Sequence, residues 1–247
     1  MMFENGRGPL TNFLEKVLTA VGEAAGSVLG RVVEAVRTLF EGDPETRKKV
    51  AFSVALIALS AKMAKADGIV SQAEVQAFRE IFEFPESEAP HVARLYNLAR
   101  QDVAGFDAYA RQMAGLCRSC SGGPCQLLED VLDGLFHIAK ADGLIHENEM
   151  GYLEHVADIF GFDEQAFERI KARHIHLEGR NPYMVLGVSP SDDFTAIRSK
   201  YRSLVSEHHP DRLIARGVPA EFHAVAHERM AALNAAYEAI EKERRAA

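Results

Sequence analysis

Three groups of residues in this sequence have types and spacings that could do chemistry. The first is His208-His209-Pro210-Asp211, two imidazoles and a carboxylate around a proline. The second is a repeat: Ala64-Lys65-Ala66-Asp67-Gly68-Ile69-Val70 recurs as Ala139-Lys140-Ala141-Asp142-Gly143-Leu144-Ile145, followed at the same offset by Glu74 and Glu149. The third is Cys117, Cys120 and Cys125 in a Gly-Pro turn. The histidines are adjacent, so they lack the i, i+4 spacing by which a helix brings two imidazoles onto one zinc ion. No Ser-His-Asp constellation or phosphate-binding glycine loop is recognisable beside them. Pro210 fixes its own φ and disfavours a helical conformation before it, so the tripeptide His209-Pro210-Asp211 reads as a stiff, exposed bend.

The repeated Asp-Gly with a following Glu is similar to the second half of a calcium loop. Such a loop also needs oxygen ligands at its first and third positions. Those places hold Met63 and Lys65 in one copy, and Ile138 and Lys140 in the other, so the calcium-loop reading fails. Two acidic turns brought together by pseudo-symmetry could still share a divalent ion through Asp67, Glu74, Asp142 and Glu149. Turn and capping chemistry accounts for the same residue types without a metal. Ser71 and Glu74 have the spacing of a capping box, while His146 stands at the cap position of the second copy. No cofactor is expected on the capping reading, and a divalent metal on this domain is the alternative.

The cysteines supply at most half of a tetrahedral zinc site. A second cysteine pair is missing, though His137 could approach in space. Three cysteines cannot build a disulfide framework, and unligated thiols in a reducing compartment are the simpler reading.

The elements that must position these groups are helical throughout. Apolar residues recur with a 3.6-residue period in almost every segment, and no stretch alternates as a strand would. The spacing predicts helices over residues 45–66, 71–83, 87–101, 105–119, 124–141, 146–160 and 163–174, punctuated by Gly and Pro. Residues 1–44 form an amphipathic arm, its apolar stripe running through residues 10–41 and ending at Gly42-Asp43-Pro44. A polar stretch near residues 176–180 then leads to a compact C-terminal unit. Three domains are therefore expected: the arm at 1–44, an internally duplicated helical domain at 45–176, and a small unit at 177–247. The fold class is all-α.

In the last unit a short helix opens at Asn181-Pro182, a second spans about 193–208, and a third begins near Pro219. The second helix turns Ile197, Tyr201, Leu204, Val205 and His208 to one side and Arg198, Lys200 and Arg202 to the others. Residues 194–206 contain no acid. Around the tripeptide stand Pro182-Tyr183-x-Val185-Leu186-Gly187-Val188, Ile197-Arg198-x-x-Tyr201-Arg202-x-Leu204 and Leu233-Asn234-x-Ala236-Tyr237-Glu238-x-Ile240. On these motifs the unit resembles a J-domain. The resemblance implies a partner: a DnaK-type chaperone of the heat-shock protein 70 class, whose ATP hydrolysis J-domains stimulate. It also implies roles. Asp211 is the trigger, His209 and Pro210 set its geometry, and Arg198, Lys200, Tyr201, Arg202 and Arg212 contribute to binding. The protein itself would not be an enzyme, and client polypeptides would be further partners.

The duplicated Lys-Ala-Asp-Gly pattern makes the middle domain similar to the TerB (tellurite resistance) family, which implies an acidic, metal- or stress-linked interaction module. In that order, with the long loop from Ser206 to Pro219, the two units resemble the DjlA type of DnaJ-like co-chaperone. That type usually starts with a membrane-spanning segment. This sequence has instead a charged amphipathic arm, and no run of about 18 uncharged apolar residues. The expected location is the cytoplasm, with peripheral contact to the cytoplasmic face of the inner membrane through residues 10–41 as the alternative to docking on protein.

The charge total of -8 excludes a general nucleic-acid binder, which carries a basic excess. Its distribution is uneven. Residues 51–170 hold 9 basic and 19 acidic groups, whereas residues 181–247 balance 9 against 9 and still place three cations in the acid-free stretch 194–206. This is the pattern of an electrostatically specific protein partner.

Overall fold

The computed structural model describes residues 44–67, 89–101, 105–117, 126–174, 181–215, 218 and 222–246, with Thr19, Arg31, Val32, Glu34, Ala35, Ala73, Ala77 and Ile81 besides. For residues 44–49, 65–67, 116–117, 210, 214–215 and 223 it describes only the backbone. No strand occurs among the described residues, so the all-α reading holds.

The middle domain is organised around two helices that are buried on nearly every side. α1 (Pro44–Asp67) carries the uncharged run from Val50 to Ala61, and each of its described side chains from Val50 to Ala64 is buried. A helix that is apolar all round belongs inside a bundle. α2 (Ala89–Gln101) and α3 (Phe106–Cys117) pack against it. α4 (Gln126–Ala139) is the second such helix, buried from Leu127 through Ala139 except at Glu129 and His137. α5 (Glu147–Phe160) and α6 (Glu164–His174) close the bundle. Tyr152 on α5 donates its hydroxyl to the Leu59 carbonyl of α1 at 2.8 Å, which satisfies both groups inside the core. Of the helix expected over 71–83, three residues are described; all are helical, and Ala77 and Ile81 are buried.

The C-terminal unit begins with α7 (Pro182–Leu186). Asn181 caps it by accepting from the Tyr183 and Met184 amides, and Gly187 ends it at φ 63°, a left-handed conformation open to glycine at little cost. α8 (Phe194–Glu207) follows, capped by Asp193. α9 (Pro210–Ala215) is short, and α10 (His223–Ala246) is long and packs on α8, starting four residues later than the position near Pro219 that the sequence suggests. Ile197, Leu204, Leu233, Ala236 and Ile240 form the small core between α7, α8 and α10.

The expected boundary between the two units does not separate their interiors. Leu213, Val218, Phe222, Val225 and Ala226 of the C-terminal unit lie in the middle domain's hydrophobic core, while Ala172 of α6 lies in the C-terminal core. Phe222 meets Phe52 of α1 edge-on with ring centroids 5.0 Å apart. Nor is the arm wholly separate: Val32 and Ala35 are buried in the same core cluster, so protein covers the stripe at those two positions. Among the described residues no helix is long and apolar enough to cross a membrane.

The seam between the units has no spare room at Gly134. A Cβ there would stand 2.9 Å from the Phe222 ring and 3.0 Å from both methyl groups of Leu56. Gly134→Val should therefore lower stability by about 2 kcal/mol or more through overpacking. Gly151→Ala at an exposed position of α5, where nothing lies within 4 Å, should raise it by about 0.5–1 kcal/mol from helix propensity alone. Urea denaturation of the two variants checks the opposite signs.

Candidate functional site

The chain turns at His208, the C-terminal cap of α8, whose amide still donates to the Leu204 carbonyl at 2.9 Å. His209 then starts α9. Its carbonyl accepts from the Arg212 and Leu213 amides at 2.9 and 3.1 Å, and its Nδ1 accepts from the Asp211 amide at 3.3 Å. The tripeptide is thus more structured than the simple bend expected from it. Pro210 occupies the first position of a helix, where its missing N–H has no intrahelical partner to lose and its φ is already suitable. An imidazole that accepts at Nδ1 carries no proton there, so the cap requires His209 in its neutral, Nε2-protonated form.

This geometry leaves the Asp211 carboxylate in solvent, 87% exposed and 3.6 Å from His209 Nδ1. A groove of about 390 Å³ is lined by Tyr201, Arg202, Val205, Ser206, His209, Asp211 and Arg212. Five of the eight residues singled out as partner-binding therefore meet in one place. Arg198 and Lys200 are exposed on α8 but do not line the groove, and of Pro210 only the backbone is described. Tyr201 also braces the two helices beneath the groove. Its ring stacks on Tyr237 of α10 with centroids 4.2 Å apart, and its hydroxyl donates to Asn234 at 2.9 Å.

Behind the groove lies a buried ionic network that sequence reasoning missed. Arg229 of α10 is buried, and its Nη1 donates to Asp130 Oδ1 and to His208 Nδ1, both at 2.7 Å. Its Nη2 donates to Asp133 Oδ2. Both aspartates are on α4, in the other unit. Asp133 is also bonded to His174 Nε2 at 2.5 Å and faces Arg173, which pairs with Glu129 at 2.5 Å. Burial alone would raise the Asp133 carboxyl, but the charges of Arg173 and Arg229 and the bond from His174 outweigh it and hold it far below the usual carboxylate range. Glu129 is lowered likewise: burial opposes, and Arg173 and Arg229 prevail.

The two histidines in the network are neutral. Burial, then the Arg229 and Arg173 charges, push His208 down to about 3. Burial pushes His174 down to about 4 against the pull of Asp133. Geometry agrees, because His174 Nδ1 is buried without a hydrogen-bond partner and a second proton there would have no acceptor. Its ring lies flat on Phe136 at 5.0 Å. The signal available in the sequence was small: two aspartates three residues apart on α4, a helix otherwise apolar nearly all round.

The second copy of the repeat resolves into local structure. Glu149 is buried and accepts from the His146 amide at 2.9 Å, half of a capping box. Asp142 accepts from the Leu144 amide at 3.3 Å, and Gly143 turns at φ 102°. Lys140 reaches across to Glu228 of α10, which His137 also meets at 2.8 Å. In the first copy the Asp67 side chain and Glu74 lie outside the described residues, as do Cys120, Cys125 and the Cys117 side chain. Among the described residues no three His, Cys, Asp or Glu side chains are grouped as metal ligands would be.

Comparison with known proteins agrees with this geometry. The family model described as tellurite resistance protein TerB matches residues 53–172, and that of the DnaJ domain matches residues 181–247. The chain carries a TerB domain followed by a C-terminal DnaJ domain. Over most of its length it is similar to curated proteins named Co-chaperone protein DjlA. The relative from Aliivibrio fischeri is 28% identical over 233 residues, covering 82% of each chain. That from Yersinia pseudotuberculosis is 25% identical over 252 residues, covering 91% of this chain and 90% of its own. That from Escherichia coli K12 is 28% identical over 206 residues, covering 74% and 75%. No solved structure gives a significant match. The J-domain and these relatives together support a co-chaperone role.

The inward-facing histidines make the joint between TerB domain and J-domain acid-sensitive. Unfolded, both titrate near 6.5, so between that value and their folded values the unfolded chain binds more protons and stability rises with pH. Lowering pH from 6.5 to 5 should cost about 1.5 kcal/mol per histidine, the slope approaching about 1.4 kcal/mol per pH unit only near pH 5, with Asp133 adding to the loss only below about 4. His208→Asn, whose Oδ1 can replace Nδ1 as acceptor, should remove about half of that slope in urea titrations at successive pH values.

Proposed function

We propose that the chain is a co-chaperone whose J-domain docks on a DnaK-type chaperone of the heat-shock protein 70 class and stimulates its ATP hydrolysis. The observation that carries this reading is the exposed Asp211 carboxylate held beside Arg202 and Arg212 in one groove, with Arg198 and Lys200 on the same helix as Arg202. The first turns of α10, at Val225, Ala226 and Arg229, are buried against the TerB domain, whereas this groove is open to solvent.

Each group then has a physical role. The cations of α8 attract and orient an acidic surface, an effect that raises association rate and falls with salt. His209, capping α9 through Nδ1, holds the Asp211 backbone and so aims its carboxylate. Asp211 offers a charge-assisted hydrogen bond to a cationic or N–H donor on the partner, stronger than a neutral one. Cleavage of ATP belongs to the partner; this chain supplies the contact that accelerates it. The setting is the cytoplasm, where the ATP the partner consumes is found.

Single-turnover ATP hydrolysis by the cognate chaperone tests the reading. Wild type should accelerate it, and His209→Gln should lose at least about tenfold of that acceleration, as expected when one positioned group is removed from a reacting assembly. Equal stimulation by both proteins overturns the proposal. Arg202→Glu should instead raise the half-saturating concentration, and added salt should weaken wild type in the same direction.

A further inference from the structure

The network behind the groove joins the TerB domain to the residue immediately before the tripeptide. We propose that Asp130 and Asp133 of the TerB domain are positioning residues for His209-Pro210-Asp211, acting through Arg229 and His208. The inference rests on the co-chaperone reading for its functional consequence, and on geometry alone for the coupling itself.

The chain from one domain to the other is continuous. Asp130 and Asp133 hold the two guanidinium nitrogens of Arg229, and Arg229 Nη1 donates to His208 Nδ1. His208 is also the cap residue that ends α8, so its ring and its amide are fixed together. The next residue, His209, caps α9 and orients Asp211. On the far side of the tripeptide Leu213 is buried in the TerB core with Phe222, and the Val218 amide donates to the Leu213 carbonyl at 3.0 Å. His209, Pro210, Asp211 and Arg212 therefore span two anchors, one polar and one apolar, and both are set by the neighbouring domain.

The polar anchor depends on that domain chemically. Among the described residues both ion-pair partners of Arg229 are on α4. Without those carboxylates a buried guanidinium has no compensating charge, and it would leave the interior for water. His208 would then lose the donor to its Nδ1, and the exit of α8 would lose its pin. Removing one partner of such a pair strands the other, whereas removing both leaves the site near neutral in stability. The double variant Asp130→Asn with Arg229→Met is thus the informative one, since Asp133 keeps Arg173 and His174.

Measure single-turnover ATP hydrolysis by the DnaK-type chaperone against the concentration of the full-length variant. The maximal stimulated rate should fall about tenfold, because a misplaced reacting or contacting group costs rate steeply. The half-saturating concentration should stay within about twofold, because Arg198, Lys200 and Arg202 are untouched. A fold-wide defect would move both. In the free protein, long-range ¹H–¹⁵N spectra should show the His209 Nδ1 signal shifting as its bond to the Asp211 amide loosens. His208→Asn, which keeps an acceptor for Arg229, should retain the maximal rate, while His208→Leu should lose it; this pair decides the matter if the double variant does not fold.

An unchanged maximal rate with an unchanged His209 signal overturns the coupling and leaves the co-chaperone reading standing. If wild type gives no stimulation, the co-chaperone reading falls instead. The His209 signal then decides the coupling: a shift supports it and no shift overturns it.

Discussion

Arg229 lies in the protein interior with its guanidinium bonded to Asp130 and Asp133, and the arrangement of both domains follows from that contact. Burying a charge costs several kcal/mol unless it is paired and its hydrogen-bonding groups are used. Here two arginines face three carboxylates, and two neutral histidines add one bond each, His174 to Asp133 and His208 to Arg229. Only with both domains in place does each arginine meet a carboxylate and each carboxylate an arginine. Separated, the TerB domain would keep buried aspartates short of one cation, and the J-domain would keep an arginine whose partners were gone. The apolar contacts say the same, since Phe222 and Leu213 complete a core that α1 and α4 begin. Two family-sized segments thus fold as one unit at their joint.

Much of the fold was legible in local pattern, and the reason it stopped at the joint is physical. Helix periodicity and glycine or proline punctuation are local signals; they placed α1 through α6 within about three residues of their observed ends. His209, Asp211, Arg202 and Arg212 were legible because motif and context lie in one short stretch of chain. Asp130, Asp133 and Arg229 were not. Their meaning resides in contacts between residues 96 and 99 positions apart, about which periodicity says nothing. His208 was placed on the buried face of its helix, correctly, yet nothing local told that its partner would be an arginine from α10. The bend at Pro210 was read as a break, whereas the following residues continue as a helix because the proline sits where helices tolerate it.

The network also changes what the charge distribution means. The excess of 19 acids over 9 bases in residues 51–170 reads at first as an outward-facing acidic surface. Three of those acids, Glu129, Asp130 and Asp133, face inward to arginines of α6 and α10. Part of the apparent attraction for a foreign partner is used inside the chain. The same holds for Lys140 in the second copy of the repeat. Its place in the Lys-Ala-Asp-Gly turn looks like generic turn chemistry, but its ammonium meets Glu228, one residue before Arg229. The repeat therefore does more than shape a turn, because its lysine contributes to the joint.

What remains at the surface is more polar in the directional sense than the totals suggest. Residues 181–247 carry 9 bases and 9 acids, and a neutral sum would give little long-range steering if the signs were mixed evenly. They are not. Glu228 and Arg229 pair with the TerB domain and are withdrawn from the outer field, whereas Arg198, Lys200, Arg202 and Arg212 stay exposed on α8 and α9. No acid interrupts α8 before Glu207. Docking against the TerB domain withdraws one charge of each sign, so the outward cationic face is set by the sequence of α8 and α9 themselves. A cationic face with one aspartate at its edge is left outward, and the histidine that begins the trigger follows directly on the residue that the inward network holds.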